Sequence, residues 1–338
     1  MSEILTPRLR LDIFAELGRT LRNPEGYFAE LAGSAKHQNA WFTSASILKA
    51  AEAIADMLNQ IDLEQWLEGY ENPENQRSVG LILPGNIPLA GFHDILCVLA
   101  SGHKALIKLS SQDQKLIPFI LQQLITIHPG FKEQIEYVER LKDFDAVIAT
   151  GSNNTSRYFE YYFGKVPHII RKNRNSIAIL SGKESSSQLE GLGYDIFDYF
   201  GLGCRNVSKI YVPQGYDFPA FFRGIEKFRP VSDHHKYSNN YDYNKSIFLV
   251  NQDKHLDNGF LLVREDKRLA SPLAVLYYEE YDDKDMLEQE IRSISDQIQC
   301  IVTGISTQLD TVEFGKSQHP KLWDYADGVD TMAFLGGL

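Results

Sequence analysis

Cysteine is scarce in this chain of 338 residues, and its scarcity excludes two kinds of architecture. The three cysteines, Cys97, Cys204 and Cys300, are odd in number and far apart in the sequence. They can therefore build neither a disulfide framework nor a paired metal motif, and they fit a reducing compartment. The sequence predicts no metal site.

Long apolar runs and an excess of positive charge are also missing. No run of about 18 apolar residues is present, which argues against a membrane-spanning helix. Residues 1–5 lack the basic and apolar regions of a signal peptide, so we expect a cytoplasmic protein without stable membrane insertion. The formal net charge of −11 argues against general affinity for nucleic acid.

The sequence does contain a change of pattern near residue 76. Residues 8–70 carry apolar side chains at helical spacing, whereas short apolar runs alternate with helical segments beyond them. This alternation is typical of a parallel sheet covered on both faces. The predicted strands of a first sheet are residues 79–83, 105–109, 146–149 and 177–180, and those of a second lobe are residues 209–212, 247–250, 260–263, 273–277 and 298–302.

We therefore predict an α/β fold with four segments. Residues 1–75 form a helical N-terminal segment and residues 76–182 a parallel-sheet, dinucleotide-binding domain. Residues 183–303 form a second α/β domain that carries a catalytic thiol, and residues 304–338 a C-terminal segment. Within the second domain, residues 229–245 are polar without apolar periodicity, which predicts a long loop.

Cys204 has the sequence setting of a nucleophile. It follows Gly201 and Gly203, which let a substrate approach the backbone, and it precedes Arg205, which favours the thiolate. A structural cysteine in a glycine-rich turn is the other interpretation. Cys97 and Cys300 lie in apolar segments and are predicted to be core residues.

Polar residues follow three of the predicted strands, where α/β proteins bind their ligands. The amide of Asn86 can donate to an oxyanion, unless Asn86 only caps the following helix. Lys108 can reach the ribose or phosphate of a cofactor, unless it is an ordinary strand-end lysine. Residues 150–154 form a glycine turn and a helix start that suit a phosphate or a nicotinamide, unless Gly151-Ser152 is an ordinary capped turn.

Taken in order, these motifs resemble the aldehyde dehydrogenase superfamily. The resemblance runs from about Val79 to the C-terminus through the strand and loop at 79–89, the segment 100–110, Thr150-Gly151-Ser152, residues 175–179 and Gly203-Cys204. Within the superfamily the sequence is most similar to the LuxC-type acyl-CoA reductases, which reduce long-chain fatty acyl groups. Residues 84–88 and 324–332 are the segments that match them most closely.

The resemblance implies an aldehyde-dehydrogenase-like fold and a set of site residues. Cys204 would form a thioester with the substrate, and Asn86 together with the backbone N–H of Cys204 would form the oxyanion hole. Hydride from a reduced nicotinamide cofactor would then release the aldehyde. The residues implied to bind that cofactor are Pro84, Gly85, Lys108, Ser110, Thr150, Gly151 and Ser152.

One stretch departs from the aldehyde-oxidising members, which carry a glutamate that activates water for hydrolysis of the acyl-enzyme. Residues 166–174 contain no carboxylate at the corresponding place, which favours a reductive enzyme that uses thioesters. The same stretch is the most basic of the chain. Its Arg171, Lys172 and Arg174 predict a rim for the phosphates of coenzyme A or of the dinucleotide, or else a solvated charged face.

The function predicted from the sequence is thus NADPH-dependent reduction of a long-chain acyl thioester to the aldehyde, with NADH as the alternative cofactor. Two other functions remain open: an acyl-phosphate reductase of the same superfamily, and an acyltransferase or acyl-carrying subunit without its own reduction step. The predicted partners are acyl-CoA or an acyl-donor protein. A homo-oligomer is also left open, because the chain is short for the superfamily.

Overall fold

The computed structural model describes residues 5–22, 26–151 and 153–338. The chain divides into two compact units. The first comprises Met1–Asn173 together with His319–Leu338, and the second comprises Arg174–Gln318. The C-terminal segment therefore returns to the unit in which the chain begins.

The first unit starts with the predicted helical region. Its helices are α1 (Pro7–Arg22), α2 (Tyr27–Ala35), α3 (Ser44–Met57) and α4 (Gln60–Leu67). The apolar face of α1 that the sequence pattern predicts is buried, with Phe14 and Leu17 fully covered. Burial of such a stripe, more than helix propensity, is what stabilises these helices.

A parallel sheet of five strands follows in the first unit. Its strands are β1 (Ser78–Ile82), β2 (Lys104–Lys108), β3 (Ile135–Tyr137), β4 (Ala146–Thr150) and β5 (His168–Arg171). The strand order is β3-β2-β1-β4-β5. The helices between them are α5 (Phe92–Ala100), α6 (Leu116–Ile127) and α7 (Asn153–Phe163). The central residues of β1 and β2 are buried on both faces, as in other parallel sheets.

The second unit contains a sheet of six strands. In chain order its elements are β6 (Asn175–Ile179), α8 (Ser186–Phe197), β7 (Val207–Pro213), α9 (Phe218–Gly224), α10 (His235–Asn251), β8 (Leu256–Asp257), β9 (Leu262–Glu265), β10 (Val275–Tyr281), α11 (Lys284–Ser293) and β11 (Ile298–Thr303). The strand order is β11-β6-β7-β10-β9-β8, and only the β8–β9 pair is antiparallel among the described strands. Helix α12 (Thr331–Gly336) then belongs to the first unit.

Two of the predicted elements in the second unit are wrong. Residues 229–245 form no long loop and residues 247–250 no strand, because α10 covers most of the first range and all of the second. The buried face of α10 consists of Tyr237, Tyr241, Asn244 and Phe248 at helical spacing. Three of these four residues carry polar groups, so the face does not stand out as an apolar pattern.

The predicted α/β class with a parallel-sheet domain is confirmed, but one strand is assigned differently. β6 was predicted to belong to the first sheet, whereas it pairs with β7 and β11 in the second. The division of the chain therefore falls between Asn173 and Arg174. Within the described parts of the chain, no helix is both long and apolar enough to cross a membrane.

Candidate functional site

The carboxyl ends of three neighbouring strands bring together most of the residues predicted to bind a dinucleotide. β1 lies between β2 and β4, and all three strands run parallel. The residues that lie at or just beyond their carboxyl ends are Pro84, Gly85, Lys108, Ser110, Thr150 and Gly151. Ser152, which was predicted to bind with them, lies outside the described residues.

The loops that follow β1 and β2 are in direct contact. A Cβ atom on Gly85 would lie 2.2 Å from Oγ of Ser110, so no other residue fits at this position without a shift of the loops. The Ser110 hydroxyl accepts a hydrogen bond from the backbone N–H of Gln112 at 3.2 Å. Gly85 therefore has a structural reason to be glycine, in addition to the cofactor role predicted for it.

Asp113 lies in the loop after β2 and holds the loop after β1 in place. Its buried carboxylate accepts hydrogen bonds from the backbone N–H of Leu89, at 3.3 Å, and of Leu116, at 3.0 Å. Leu89 has a left-handed backbone with φ of 58°, a conformation that needs such support. Burial raises the pKa of Asp113 against the opposing effect of these hydrogen bonds.

Asn86 lies in the loop between β1 and α5 and is exposed. From the sequence alone, Asn86 could also cap the following helix. Helix α5 starts at Phe92, and its N-cap is Gly91. The capping interpretation is therefore wrong, and the predicted oxyanion role stays a prediction.

The loop after β4 is packed closely against α7. The backbone N–H of Gly151 donates to the carbonyl of Arg171 at 3.4 Å. A Cβ atom on Gly151 would lie 2.9 Å from the ring of Phe159 and 3.1 Å from Cβ of Thr155, both on α7. The glycine thus lets the start of α7 approach the end of β4.

The strand order of the first sheet reverses at this edge. The chain passes from β1 to β2 on one side and later to β4 on the other. Open parallel sheets bind ligands at the carboxyl ends of their strands next to such a reversal. The Lys108 ammonium, the Thr150 hydroxyl and the N-terminus of α7 are donors that suit the phosphates and ribose of a dinucleotide. The residues present therefore fit the phosphates and ribose that a nicotinamide dinucleotide carries.

Cys204 lies in the second unit, in the turn between α8 and β7. Its side chain is exposed, whereas Cys97 and Cys300 are buried, as predicted. The backbone N–H of Asn206 donates to the carbonyl of Gly203 at 3.1 Å, which closes a turn around Cys204 and Arg205. The carbonyl of Cys204 accepts a hydrogen bond from the hydroxyl of Ser176 at 2.9 Å.

The backbone that leads into this turn is strained. Tyr199, Phe200 and Gly201 follow one another with φ values of 51°, 60° and 78°. A left-handed backbone costs a residue other than glycine roughly 1–2 kcal/mol. Such strain persists only where the surrounding structure enforces it, and it is concentrated at functional sites.

Asn206 is the buried side chain that connects the turn to the end of α8. Its Nδ2 atom donates to the carbonyls of Asp198, at 2.8 Å, Asp195, at 3.1 Å, and Ile196, at 3.4 Å. Its Oδ1 atom accepts from the backbone N–H of Gly203 at 2.9 Å. The amide therefore bonds to both sides of the strained segment.

The side chain of Asp195 connects α8 to the segment at residues 315–317. It is 1% exposed, and its carboxylate accepts from the backbone N–H of Gly315, at 2.7 Å, and of Ser317, at 3.0 Å. Burial raises the pKa of Asp195 to about 6, although both hydrogen bonds act to lower it. This carboxylate is a structural acid in the helix that precedes the thiol.

Comparison with known proteins identifies the fold. A scan against protein-family models finds no match, and a search of the curated proteins finds none either. Among solved structures, the indole-3-acetaldehyde dehydrogenase of P. syringae, in complex with NAD+, matches with a TM-score of 0.65 and 13% identity over 89% of this chain and 72% of that chain. This chain has the aldehyde dehydrogenase fold.

Two further structures show the same likeness. The aldehyde dehydrogenase of Mycobacterium tuberculosis, complexed with NAD+, matches with a TM-score of 0.62 and 15% identity over 91% of this chain and 77% of that chain. The NADP-dependent glyceraldehyde-3-phosphate dehydrogenase of Bacillus halodurans, complexed with NADP, matches with a TM-score of 0.62 and 14% identity over 88% of this chain and 73% of that chain. At these identities the likeness is one of fold.

Within this fold, Arg171 does not have the position predicted for it. Its side chain is 3% exposed, and it donates to both carboxylate oxygens of Asp94, at 2.7 and 3.2 Å. It also donates to the hydroxyl of Thr331 at 2.9 Å and to the carbonyl of Ala326. Because its guanidinium is buried and engaged, Arg171 is a structural residue, and its predicted contact with substrate phosphate is wrong.

Lys172 and Arg174, the other two residues of that prediction, have different environments. Lys172 is exposed and forms an ion pair with Glu160 at 2.8 Å. Arg174 donates to the carbonyl of Ile298 at 3.4 Å. For both, the contact with phosphate stays a prediction.

Three residues that shape the candidate sites of the two units were not predicted from the sequence. Asn206 was given no role, although its place two residues after Cys204 was a usable signal. Asp113 and Asp195 had no signal in the sequence. A buried carboxylate that accepts backbone N–H groups is recognised only once the chain segments that supply those groups are known.

Proposed function

We propose that this protein reduces acyl thioesters to aldehydes with a nicotinamide cofactor, through an acyl group carried on Cys204. The observation that supports this most directly is the exposed thiol of Cys204, held in a strained and closely bonded turn of an aldehyde dehydrogenase fold. Exposed, positioned thiols next to a basic residue are suited to nucleophilic attack. Cys97 and Cys300 are buried and have no such access.

The first step is acyl transfer to the enzyme. The Cys204 thiolate attacks the acyl carbon, a carbon–sulfur bond forms, and the tetrahedral intermediate carries the charge on oxygen. When this intermediate collapses, the coenzyme A thiolate leaves and takes up a proton. We assign stabilisation of the oxyanion to the side-chain amide of Asn86 and the backbone N–H of Cys204.

The second step is reduction of the enzyme thioester. A reduced nicotinamide cofactor, when bound, supplies the hydride that this step needs. Lys108, Ser110 and Thr150 would hold it at the carboxyl ends of β2 and β4, with the loops at Gly85 and Gly151. As the aldehyde forms, the Cys204 sulfur leaves as the thiolate and is ready for another acyl group.

The lack of a carboxylate in residues 166–174 supports the reductive direction. Hydrolysis of a thioester needs a base that activates water, and this stretch, which contains β5, supplies none. An acyl-enzyme without such a base persists until it is reduced or transferred. In this proposal residues 166–174 matter because they contain no base that could activate water. Arg171, which lies among them, maintains the fold.

The resemblance to LuxC-type reductases makes a long-chain acyl group the proposed substrate, with coenzyme A or a partner protein as the donor and NADPH as the cofactor. Lys172 and Arg174 are proposed contacts for the donor's phosphates. We also propose that the first unit binds the dinucleotide and that the second unit, which begins at Arg174, carries the catalytic thiol.

Incubation of the protein with acyl-CoA species of different chain lengths, and separately with acyl phosphates, tests this proposal. Aldehyde formation and NADPH oxidation are measured with Cys204→Ala as the control. Aldehyde from acyl-CoA that depends on NADPH and on Cys204 is the expected result. Aldehyde from acyl phosphates alone would indicate the acyl-phosphate reductase, and acylation without NADPH binding would indicate an acyl-carrying subunit.

A further inference from the structure

We infer that Asn206 is a positioning residue, which holds the turn of Cys204 in the geometry that acyl transfer requires. The inference rests on the proposed function of Cys204 and adds to it a second residue with a separate role. Asn206 does not touch the substrate in this view. It acts through the backbone of Gly203, the residue directly before the nucleophile.

The contacts of Asn206 make Gly203 the fixed point of the turn. The side-chain Oδ1 of Asn206 accepts from the N–H of Gly203 at 2.9 Å, and the backbone N–H of Asn206 donates to the carbonyl of Gly203 at 3.1 Å. Both backbone polar groups of Gly203 are thus bonded to one residue. Cys204 lies between the two bonded residues and has little freedom to move alone.

The other half of the amide connects this turn to α8. Its Nδ2 group is shared among the carbonyls of Asp195, Ile196 and Asp198 at 2.8–3.4 Å. Carbonyls at the end of a helix have no partner within the helix and must find one elsewhere. The same amide therefore satisfies the end of α8 and fixes the start of the thiol turn.

Only a side chain with a donor and an acceptor can make both sets of bonds. Alanine removes all the side-chain bonds and keeps only the backbone N–H bond to Gly203, so the strained residues Tyr199 and Phe200 lose the side-chain restraint between their two flanks. Aspartate keeps an acceptor for Gly203 but turns a carboxylate oxygen toward carbonyl oxygens. Both substitutions should therefore loosen the turn, although both leave the thiol itself in place.

Asn244 provides a matched control in the same unit. It is 6% exposed, against 4% for Asn206, and its Nδ2 atom also donates to backbone carbonyls, those of Asn240 and Leu273, both at 2.9 Å. It lies on α10, outside the thiol turn. Asn244→Ala should therefore reproduce the general cost of losing a buried amide without affecting Cys204.

The test compares Asn206→Ala, Asn206→Asp, Asn244→Ala and the wild-type protein in two measurements. The first is hydrogen exchange in peptides that cover residues 199–206, which needs no substrate. The second is the rate of Cys204 acylation by a long-chain acyl-CoA, followed by intact mass over a range of substrate concentrations. Alkylation by iodoacetamide confirms in each variant that the thiol is still accessible.

We expect exchange in residues 199–206 to become about tenfold faster in both Asn206 variants and to remain unchanged in Asn244→Ala. The maximal acylation rate should fall on the order of 10²-fold in the Asn206 variants, with the half-saturating acyl-CoA concentration nearly unchanged, because the misplaced thiol attacks poorly. If the role of Asn206 were merely structural, Asn244→Ala would lower the acylation rate as much as Asn206→Ala does.

Folded Asn206 variants that acylate at the wild-type rate would overturn the inference. Unchanged exchange in residues 199–206 would overturn it as well, since the turn would then be held by other contacts. If the wild-type protein is not acylated by any acyl-CoA, the proposed function fails on that result. The exchange experiment still decides in that case whether Asn206 holds the turn.

Discussion

The reactivity of a cysteine thiol depends on its exposure and on its neighbours. The three cysteines of this chain differ in both. Cys97 is fully buried, and burial raises the pKa of its thiol, so that the nucleophilic thiolate is disfavoured. Cys300 is also buried, in β11. Cys204 is exposed in a turn whose backbone is held by Ser176 and Asn206. The residue type is the same in all three, and only one has access to a substrate.

At the residue scale, Asn86 provides a test of the oxyanion assignment. Asn86→Ala should lower the acylation rate by about 10²–10³ with little change in substrate affinity, which is typical for loss of one such donor. Asn86→Asp should be slower still, because it brings a negative charge to the place where charge develops. Burst kinetics of the two variants measure this. An aspartate variant as fast as the wild-type protein would remove Asn86 from the site.

The buried carboxylate of Asp195 should make the free energy of unfolding depend on pH. Burial raises its pKa from 3.8 to about 6, so between these values the folded state keeps a proton that the unfolded state has released. The free energy of unfolding should therefore decrease as the pH rises through this range. Asp195→Asn should remove this contribution. Urea unfolding of both proteins at a series of pH values measures it, and a difference that stays constant or grows with pH would contradict the expectation.

At the scale of elements, one ion pair connects a strand, a helix and the C-terminal segment of the first unit. Arg171 on β5 binds Asp94 on α5, Thr331 on α12 and the carbonyl of Ala326. Buried polar side chains need hydrogen-bond partners, and these contacts satisfy the guanidinium of Arg171 within the first unit. The position of Arg171 in a basic stretch of sequence did not reveal this, because its partners come from distant segments.

Substitution of Arg171 should therefore affect stability. Arg171→Met leaves Asp94 buried without its partner, which costs about 3–5 kcal/mol of unfolding free energy. The double variant Arg171→Met with Asp94→Leu should recover most of this loss, because neither charge remains. Urea unfolding measures both. A single variant as stable as the wild-type protein, with weaker binding of coenzyme A, would restore the predicted phosphate contact.

The two ends of β2 provide a comparison for cofactor binding. Lys108 lies at the carboxyl end, and Lys104 lies at the amino end, where it forms an ion pair with Glu136. Lys108→Ala should weaken NADPH binding while acylation measured without cofactor survives, whereas Lys104→Ala should change neither. Titration of NADPH fluorescence measures the binding. Equal losses in both lysine variants would mean that the carboxyl edge of the sheet is not the cofactor site.

The sequence predicted those elements whose apolar residues are consecutive or strictly periodic. Strands β1, β2 and β4 follow from apolar runs, and α1 follows from its buried face. Helix α10 was missed because its buried face is built from tyrosines and an asparagine. Strand β5 was missed because its burial depends on charged Arg171, whose partner Asp94 cannot be known before the fold is known.

At the scale of the whole molecule, the order of motifs along the chain was more informative than any single motif. It predicted the α/β fold and the carboxyl ends of β1, β2 and β4, which the structure brings to one edge of a sheet. It could not predict that β6 starts the second unit or that His319–Leu338 returns to the first. Both facts depend on pairing between segments that are distant in the sequence. The local pattern of apolar and polar residues carries no information about such pairing.

The central claim is that Cys204 carries the acyl group, and intact mass spectrometry tests it most directly. The wild-type protein, Cys97→Ala and Cys300→Ala should each gain the mass of one acyl group on incubation with a long-chain acyl-CoA, and lose it again when NADPH is added. Cys204→Ala should gain nothing, because its remaining thiols are buried. Covalent acylation of a folded Cys204→Ala protein would contradict the claim.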